Sequence, residues 1–204
     1  MSKIVLIGLT GGIASGKTEA ALFFKKKGVA VISADAVGKE VMDNPDSGMT
    51  AWVRNTFGNG FFHDSGELNR RKFGDEVFSD PQKKKLLDER IFPLIYSSIK
   101  KQIESLREDH SIIIVDAAMI FEWGIEADFD IILTIAANEK NIITRVSDRD
   151  GFNIKQVKMR IASQIDPSEK MKKSHFIIEN NRSLEEFYLK LEKFWEENIV
   201  PRIS

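Results

Sequence analysis

The stretch Gly11-Gly12-Ile13-Ala14-Ser15-Gly16-Lys17-Thr18 constrains this chain more than any other. It fits the pattern G-x-x-x-x-G-K-[ST], with Gly11 and Gly16 at the fixed glycines. Glycines let the backbone curl until successive N–H groups point inward, where they can meet phosphate oxygens. Lys17 brings a compact positive charge to the β- and γ-phosphates of a nucleotide, and the Thr18 hydroxyl can ligate Mg²⁺. A helix beginning near Gly16 turns the positive end of its dipole toward the same anion. Lys3-Ile4-Val5-Leu6-Ile7 reads as a buried strand before the loop, and Glu19-Ala20-Ala21-Leu22-Phe23-Phe24 as a helix start after it. Strand, glycine loop and helix in series are the context this motif requires.

A loop of that kind belongs to an α/β fold, and the rest of the chain agrees. Ile4 to Ile7, Val29 to Ile32, Ile112 to Val115, Ile131 to Ile135 and Phe176 to Ile178 are β-rich runs. Most are continuously apolar rather than alternating, as in strands covered on both faces. Helical segments lie between them, which predicts βαβ units around a parallel sheet. The first helix is expected from about Lys17 to Lys27, with Gly28 just past its end. The span 36–108 is too long for a simple crossover and predicts an inserted helical subdomain. Within it Asp80-Pro81 reads as a helix start, and Ile91, Ile95, Ile99 and Ile103 form a stripe with a kink or break expected near Pro93. Trp52 and the Phe61-Phe62 pair read as core of that subdomain or as a face for an aromatic acceptor. Ser183-Leu184-Glu185-Glu186 is a capping box opening a final helix whose apolar face is Leu184, Phe187, Leu191, Phe194 and Trp195.

Composition narrows the partners. A net charge of −1 over 204 residues is not that of a nucleic-acid-binding domain. There are no cysteines, which excludes disulfides and thiolate zinc sites. The apolar runs are far shorter than the roughly 20 residues that cross a bilayer, and no targeting pattern precedes the first strand. The expectation is a cytoplasmic protein, monomeric or a weak homo-oligomer, with neither nucleic acid nor membrane as partner.

In an open parallel sheet, ligands bind beyond the carboxyl ends of the strands. The glycine loop follows the first strand, Asp35 the second and Asp116 the third. Phosphoryl transfer needs a phosphate cradle, Mg²⁺, a group to orient or deprotonate the acceptor, and positive charge on the moving phosphoryl. Asp35 is such a base, or the N-cap of a helix starting at Ala36. Asp116 holds Mg²⁺ as the aspartate after an apolar strand does in other phosphate-loop enzymes, or it too is a cap. Arg145 and Arg149, four apart, share a helix face that either clamps the γ-phosphoryl or is merely solvated. His63, His110 and His175 have no metal-ligand spacing.

The ordered set of motifs resembles the dephospho-coenzyme A kinase family. Ile7-Gly8-Leu9-Thr10 followed by the loop through Thr18 looks like its extended phosphate loop, and Ile32-Ser33-Ala34-Asp35 like the segment carrying its candidate catalytic aspartate. Phe57-Gly58 and Gly66-Glu67-Leu68-Asn69-Arg70 are similar to its insert, and Val115-Asp116-Ala117-Ala118-Met119-Ile120-Phe121-Glu122 to its third-strand segment. Arg145, Arg149-Asp150, Arg160-Ile161-Ala162-Ser163-Gln164 and Lys170 resemble its lid, and Ile178-Glu179-Asn180 its final strand. The chain departs from the family pattern at Ser33, where aspartate is common, at Phe92 before Pro93, at Ala118, and at Ser174-His175.

The resemblance implies one P-loop kinase domain over residues 1–204, of the nucleoside-monophosphate-kinase type, with a five-stranded parallel sheet flanked by helices. Its core would be 1–35, 109–137 and 174–204, its acceptor-binding insert about 36–108 and its lid about 138–173. The implied reaction is ATP-dependent phosphorylation of the ribose 3′-hydroxyl of dephospho-coenzyme A. Residues 11–18 would grip the ATP phosphates, with Thr18 and Asp116 supporting Mg²⁺. Asp35 would deprotonate the acceptor, with Arg70 and Asp116 on the acceptor side. Arg145 and Arg149 would close over the phosphoryl group, and Asn180 would lie near the nucleotide. A kinase of another small metabolite and a nucleotide-sensing module are the competing readings.

Overall fold

The computed structural model describes residues 4–150, 153–162 and 164–202. Lys3 and Ser163, quoted above, lie outside them. Strands β1 (Val5–Gly11), β2 (Ala30–Ser33), β3 (Ile112–Asp116), β4 (Ile131–Ala136) and β5 (Phe176–Glu179) form one sheet in the order β2-β3-β1-β4-β5. Every neighbouring pair is parallel. All five residues of β3 and the first five of β4 are buried, which is why these runs do not alternate.

The first strand runs farther than its apolar run suggests. Beyond Ile7 it continues through Gly8, Leu9 and Thr10 to Gly11, because β3 and β4 pair with it from both sides. Two-sided pairing overrides the weak strand preference of glycine. At Gly8 the space is also needed, since a Cβ there would lie 2.8 Å from the Ile120 side chain and 3.1 Å from the Phe129 ring.

The chain divides into two compact units. One holds the described residues up to Ser33 and from Lys101 onward. Its core joins the sheet to helices α1 (Lys17–Lys26) and α9 (Leu184–Phe194), with Ile7, Leu9, Phe24, Ile114, Leu133 and Phe187 nearly sealed from solvent. Phe24 packs edge-on to Phe194 at a ring separation of 6.2 Å. Ser183 caps α9 by accepting from the Glu186 N–H at 3.3 Å. Leu184, expected on the apolar face, is 48% exposed instead. It stands in the first turn, and the buried stripe begins one turn later at Phe187. Trp195 belongs to the wider turn Trp195–Ile199 that follows the helix.

The second unit is Ala34–Lys100. It contains α2 (Ala34–Asp43), α3 (Met49–Phe57), α4 (Arg70–Ser79) and most of α5 (Pro81–Leu106). Trp52, Phe57, Phe61 and Phe62 pack around Val53, Phe73 and Val77, so these aromatics are core of this unit. Asp80 caps α5 by accepting from the Gln82 N–H at 2.8 Å. No break occurs at Pro93; α5 is one helix of 26 residues. A proline removes a single donor, and the buried Ile95 and Ile99 beyond it hold the helical face in place. Among the described residues no helix is long and apolar enough to cross a membrane.

Candidate active site

The glycine loop lies between the end of β1 and the start of α1. Its bend depends on left-handed backbone at Gly16, with φ +105°, and at Ala14, with φ +52°. Ala14 is the only described non-glycine residue with positive φ, and such strain persists only where the surroundings over-determine it. Three groups from distant parts of the chain do so. Ile13 and Ala14 pack against a small core of Ile142, Val146 and Val157 from helices α6 (Glu139–Asp150) and α7 (Ile154–Ala162). Asn180, just past β5, donates from Nδ2 to the Ser15 carbonyl at 2.9 Å. Arg145 of α6 donates to the Ala14 carbonyl at 3.2 Å, to the Ser15 carbonyl at 3.4 Å and to the Asn180 carbonyl at 2.9 Å.

Gly16 is therefore fixed twice over. Its φ suits glycine, and a Cβ would lie 2.2 Å from Asn180 Nδ2. Arg145 and Asn180 thus engage two carbonyls of the loop, those of Ala14 and Ser15. Two of the loop's N–H groups already have partners, Ser15 on the Gly12 carbonyl at 3.2 Å and Ile13 on Gln164 Oε1, and a curl of this kind can present further N–H groups to an anion.

Lys17 opens α1 and forms an ion pair with Asp116, the last residue of β3. Both side chains are largely buried, at 12% and 10% exposure. Sheet register puts Asp116 beside Leu9 of β1 and Ser33 of β2. Thr18 is exposed in the first turn of α1. Among the described residues no group of three or more histidine, aspartate or glutamate side chains gathers as a metal cage. A hydroxyl and a carboxylate are hard oxygen donors. They suit a Mg²⁺ that takes its other ligands from phosphate and water.

Residues 11–18, Arg145, Asn180 and Asp116 thus come together in the first unit. Arg149 is exposed one turn beyond Arg145 on α6. Asp35 and Arg70 belong to the second unit. Asp35 is not an N-cap, because α2 begins one residue before it, at Ala34, directly after β2. The carboxylate instead stands exposed in the first turn, where the helix dipole favours negative charge. Arg70, the first residue of α4, forms an ion pair with Asp43 and donates to the Lys39 carbonyl at 3.2 Å. It thereby holds the far end of the helix that carries Asp35.

A second polar group joins two residues, Glu122 and Lys170, that the resemblance placed in separate segments without pairing them. Lys170 of α8 (Pro167–Lys173) is 2% exposed and pairs with Glu122 at 2.9 Å. It also donates to the Ala118 carbonyl at 2.6 Å. The resemblance assigns Lys170 to the lid motif, but in a segment crowded with exposed lysines no local pattern shows that it is buried.

The dephospho-CoA kinase family model matches residues 5–186. The chain belongs to the dephospho-CoA kinase family. A dephospho-CoA kinase of Lactobacillus johnsonii is 34% identical over 94% of this chain and 96% of its own. One from Gamma-proteobacterium EBAC31A08 is 36% identical over 88% and 90%. Among solved structures, TT1252 of Thermus thermophilus superposes with a TM-score of 0.79 at 26% identity, covering 96% of this chain and 98% of that one. The dephospho-CoA kinase of Campylobacter jejuni gives 0.68 at 26% identity, covering 94% and 96%. A shikimate kinase of Acinetobacter baumannii, at 0.52 and 11% identity over 97% of both chains, shares the fold. The phosphate-loop kinase architecture expected of the dephospho-CoA kinase family is the one observed.

Proposed function

We propose that the protein transfers the γ-phosphoryl group of ATP to the 3′-hydroxyl on the ribose of dephospho-coenzyme A, giving coenzyme A and ADP. The reading is carried by the Lys17–Asp116 pair beside a buttressed phosphate loop, in a chain of the dephospho-CoA kinase family. One oxygen–phosphorus bond forms at the acceptor, the β–γ bridging bond breaks, and the hydroxyl proton leaves to a base.

The N–H groups of residues 11–18 and the Lys17 ammonium hold the β- and γ-phosphates. Asp116 keeps Lys17 directed along the loop. Thr18 and Asp116 would hold Mg²⁺, which when bound neutralises phosphate charge. Asp35 receives the acceptor proton, and Arg70 steadies the helix bearing it and the acceptor side. Arg145 and Arg149 bring positive charge to the developing phosphoryl transition state, Arg145 from its anchorage on the loop. Asn180 serves the nucleotide by holding Ser15 in place. Residues 36–108 act as an acceptor-binding insert and 138–173 as a lid, whose closure excludes water as a competing acceptor.

The test is ADP release from Mg·ATP with and without dephospho-coenzyme A, with mass measurement of the product. Acceptor-dependent release and a product identical to coenzyme A are expected. Release that ignores this acceptor refutes the reading and directs the search to nucleoside monophosphates.

A further inference from the structure

Gln164 lies between α7 and α8, and its side chain reaches the phosphate loop. The Ile13 N–H donates to Gln164 Oε1 at 3.3 Å. A Cβ built on Gly12 would be 3.8 Å from the same oxygen. The amide therefore lies over the first half of the loop.

Its support is continuous. The next residue, Ile165, donates its N–H to Glu122 Oε1 at 3.0 Å. Glu122 is held by Lys170, and Lys170 by the Ala118 carbonyl. That carbonyl also accepts from Thr10 Oγ1 at 3.2 Å, and Thr10 is the fully buried residue just before Gly11. The segment bearing Gln164 and the strand leading into the loop are thus tied through one run of polar contacts.

We infer that Gln164 is a phosphoryl-contacting residue of the transfer site, a neutral donor to the γ-phosphate. This rests on the reading of the loop as an ATP site given above. A glutamine amide carries one acceptor and two donors on the same terminal group. Its oxygen takes the Ile13 N–H, one of the donors proposed above to serve phosphate. A phosphate oxygen that takes this N–H displaces the amide oxygen. The terminal torsion of glutamine is soft, so the amide turns and its NH₂ faces the newcomer. The exchange keeps Ile13 satisfied and adds a donor at the end of the nucleotide where charge grows during transfer. It involves the third phosphate, so it separates ATP from ADP.

The experiment uses the full-length protein and the variants Gln164→Glu and Gln164→Ala. Calorimetry measures affinity for ADP and for an ATP analogue with a non-transferable γ-phosphate. Turnover is measured with saturating dephospho-coenzyme A. Gln164→Glu preserves shape but sets a negative charge at the γ-phosphate. It should weaken the triphosphate about tenfold or more while leaving ADP within about threefold. Gln164→Ala removes the donor and should lower kcat by about tenfold or more, with KM for dephospho-coenzyme A little changed. Equal weakening of ATP analogue and ADP, or near-normal kcat in Gln164→Ala, overturns the inference, since a loosened segment would not distinguish the two nucleotides. If the unaltered protein makes no coenzyme A, the proposed acceptor falls, yet the comparison of nucleotides still decides where Gln164 acts.

Discussion

Replacing Lys170 by methionine keeps most of the side-chain volume and removes the charge. In the native protein this ammonium is 2% exposed and meets both Glu122 and the Ala118 carbonyl. Glu122 is itself only 15% exposed, and its second carboxylate oxygen, Oε2, is buried without a hydrogen-bond partner among the described residues. Lys170→Met thus strands a carboxylate that, among the described residues, keeps the Ile165 N–H alone. Breaking a buried pair from one side costs about 3–5 kcal/mol, a large share of the roughly 5–15 kcal/mol that holds a domain folded. For a chain of this size each kcal/mol moves Tm by about 2–4 °C, so the midpoint should fall by about 6–20 °C. Urea unfolding followed by circular dichroism gives the free energy directly, provided the slope m is unchanged. The double variant Lys170→Met/Glu122→Gln removes the stranded charge and should recover much of the loss. A single-variant loss below about 1 kcal/mol, the value of an exposed pair, would refute the claim that this contact is a buried tie.

Gly16→Ala sets a Cβ against Asn180 Nδ2 and asks alanine for a left-handed φ, a conformation costing roughly 1–2 kcal/mol. ATP affinity should drop about tenfold or more, and a variant that binds normally would show that the close approach is irrelevant. Asp35→Asn should lower turnover by about 10²–10⁴ with ATP affinity nearly unchanged; near-normal turnover would remove Asp35 as base. Asp166, the N-cap of α8, is held below the usual aspartate range by hydrogen bonds from the Ser168 side chain and backbone. Its contribution is therefore present above the unfolded value of about 3.9 and is lost as pH falls below it. Asp166→Asn retains the cap, and urea midpoints between about pH 3 and 6 should show a flatter acid limb for it than for the native protein.

How far the sequence could be read depended on the range of the forces involved. The phosphate loop, the capping residues Asp80 and Ser183, and the doubly covered strands are decided within a few neighbours, and they were legible. The end of β1 was not, because pairing with β3 and β4 carries it through Gly8 and Gly11. Nor was the continuity of α5, since buried Ile95 and Ile99 outweigh Pro93. At the site, residue types and spacing pointed to Lys17 and Asp116, and the fold brings those two together. The anchoring roles of Arg145 and Asn180 on the loop, and the burial of Lys170, come from contacts across more than thirty residues, which no local pattern encodes.

The loop's dependence on Asn180 has a consequence for how the protein is made. Ser15 and Asn180 are separated by 165 positions. Synthesis delivers every residue of the glycine motif long before the strand that fastens it. A nascent chain halted before β5 carries the whole motif but lacks the Asn180 contacts that fix it. Such distant contacts are also slow to form. Nucleotide affinity should therefore rise late, as β5 docks and brings the Asn180 contacts to the loop.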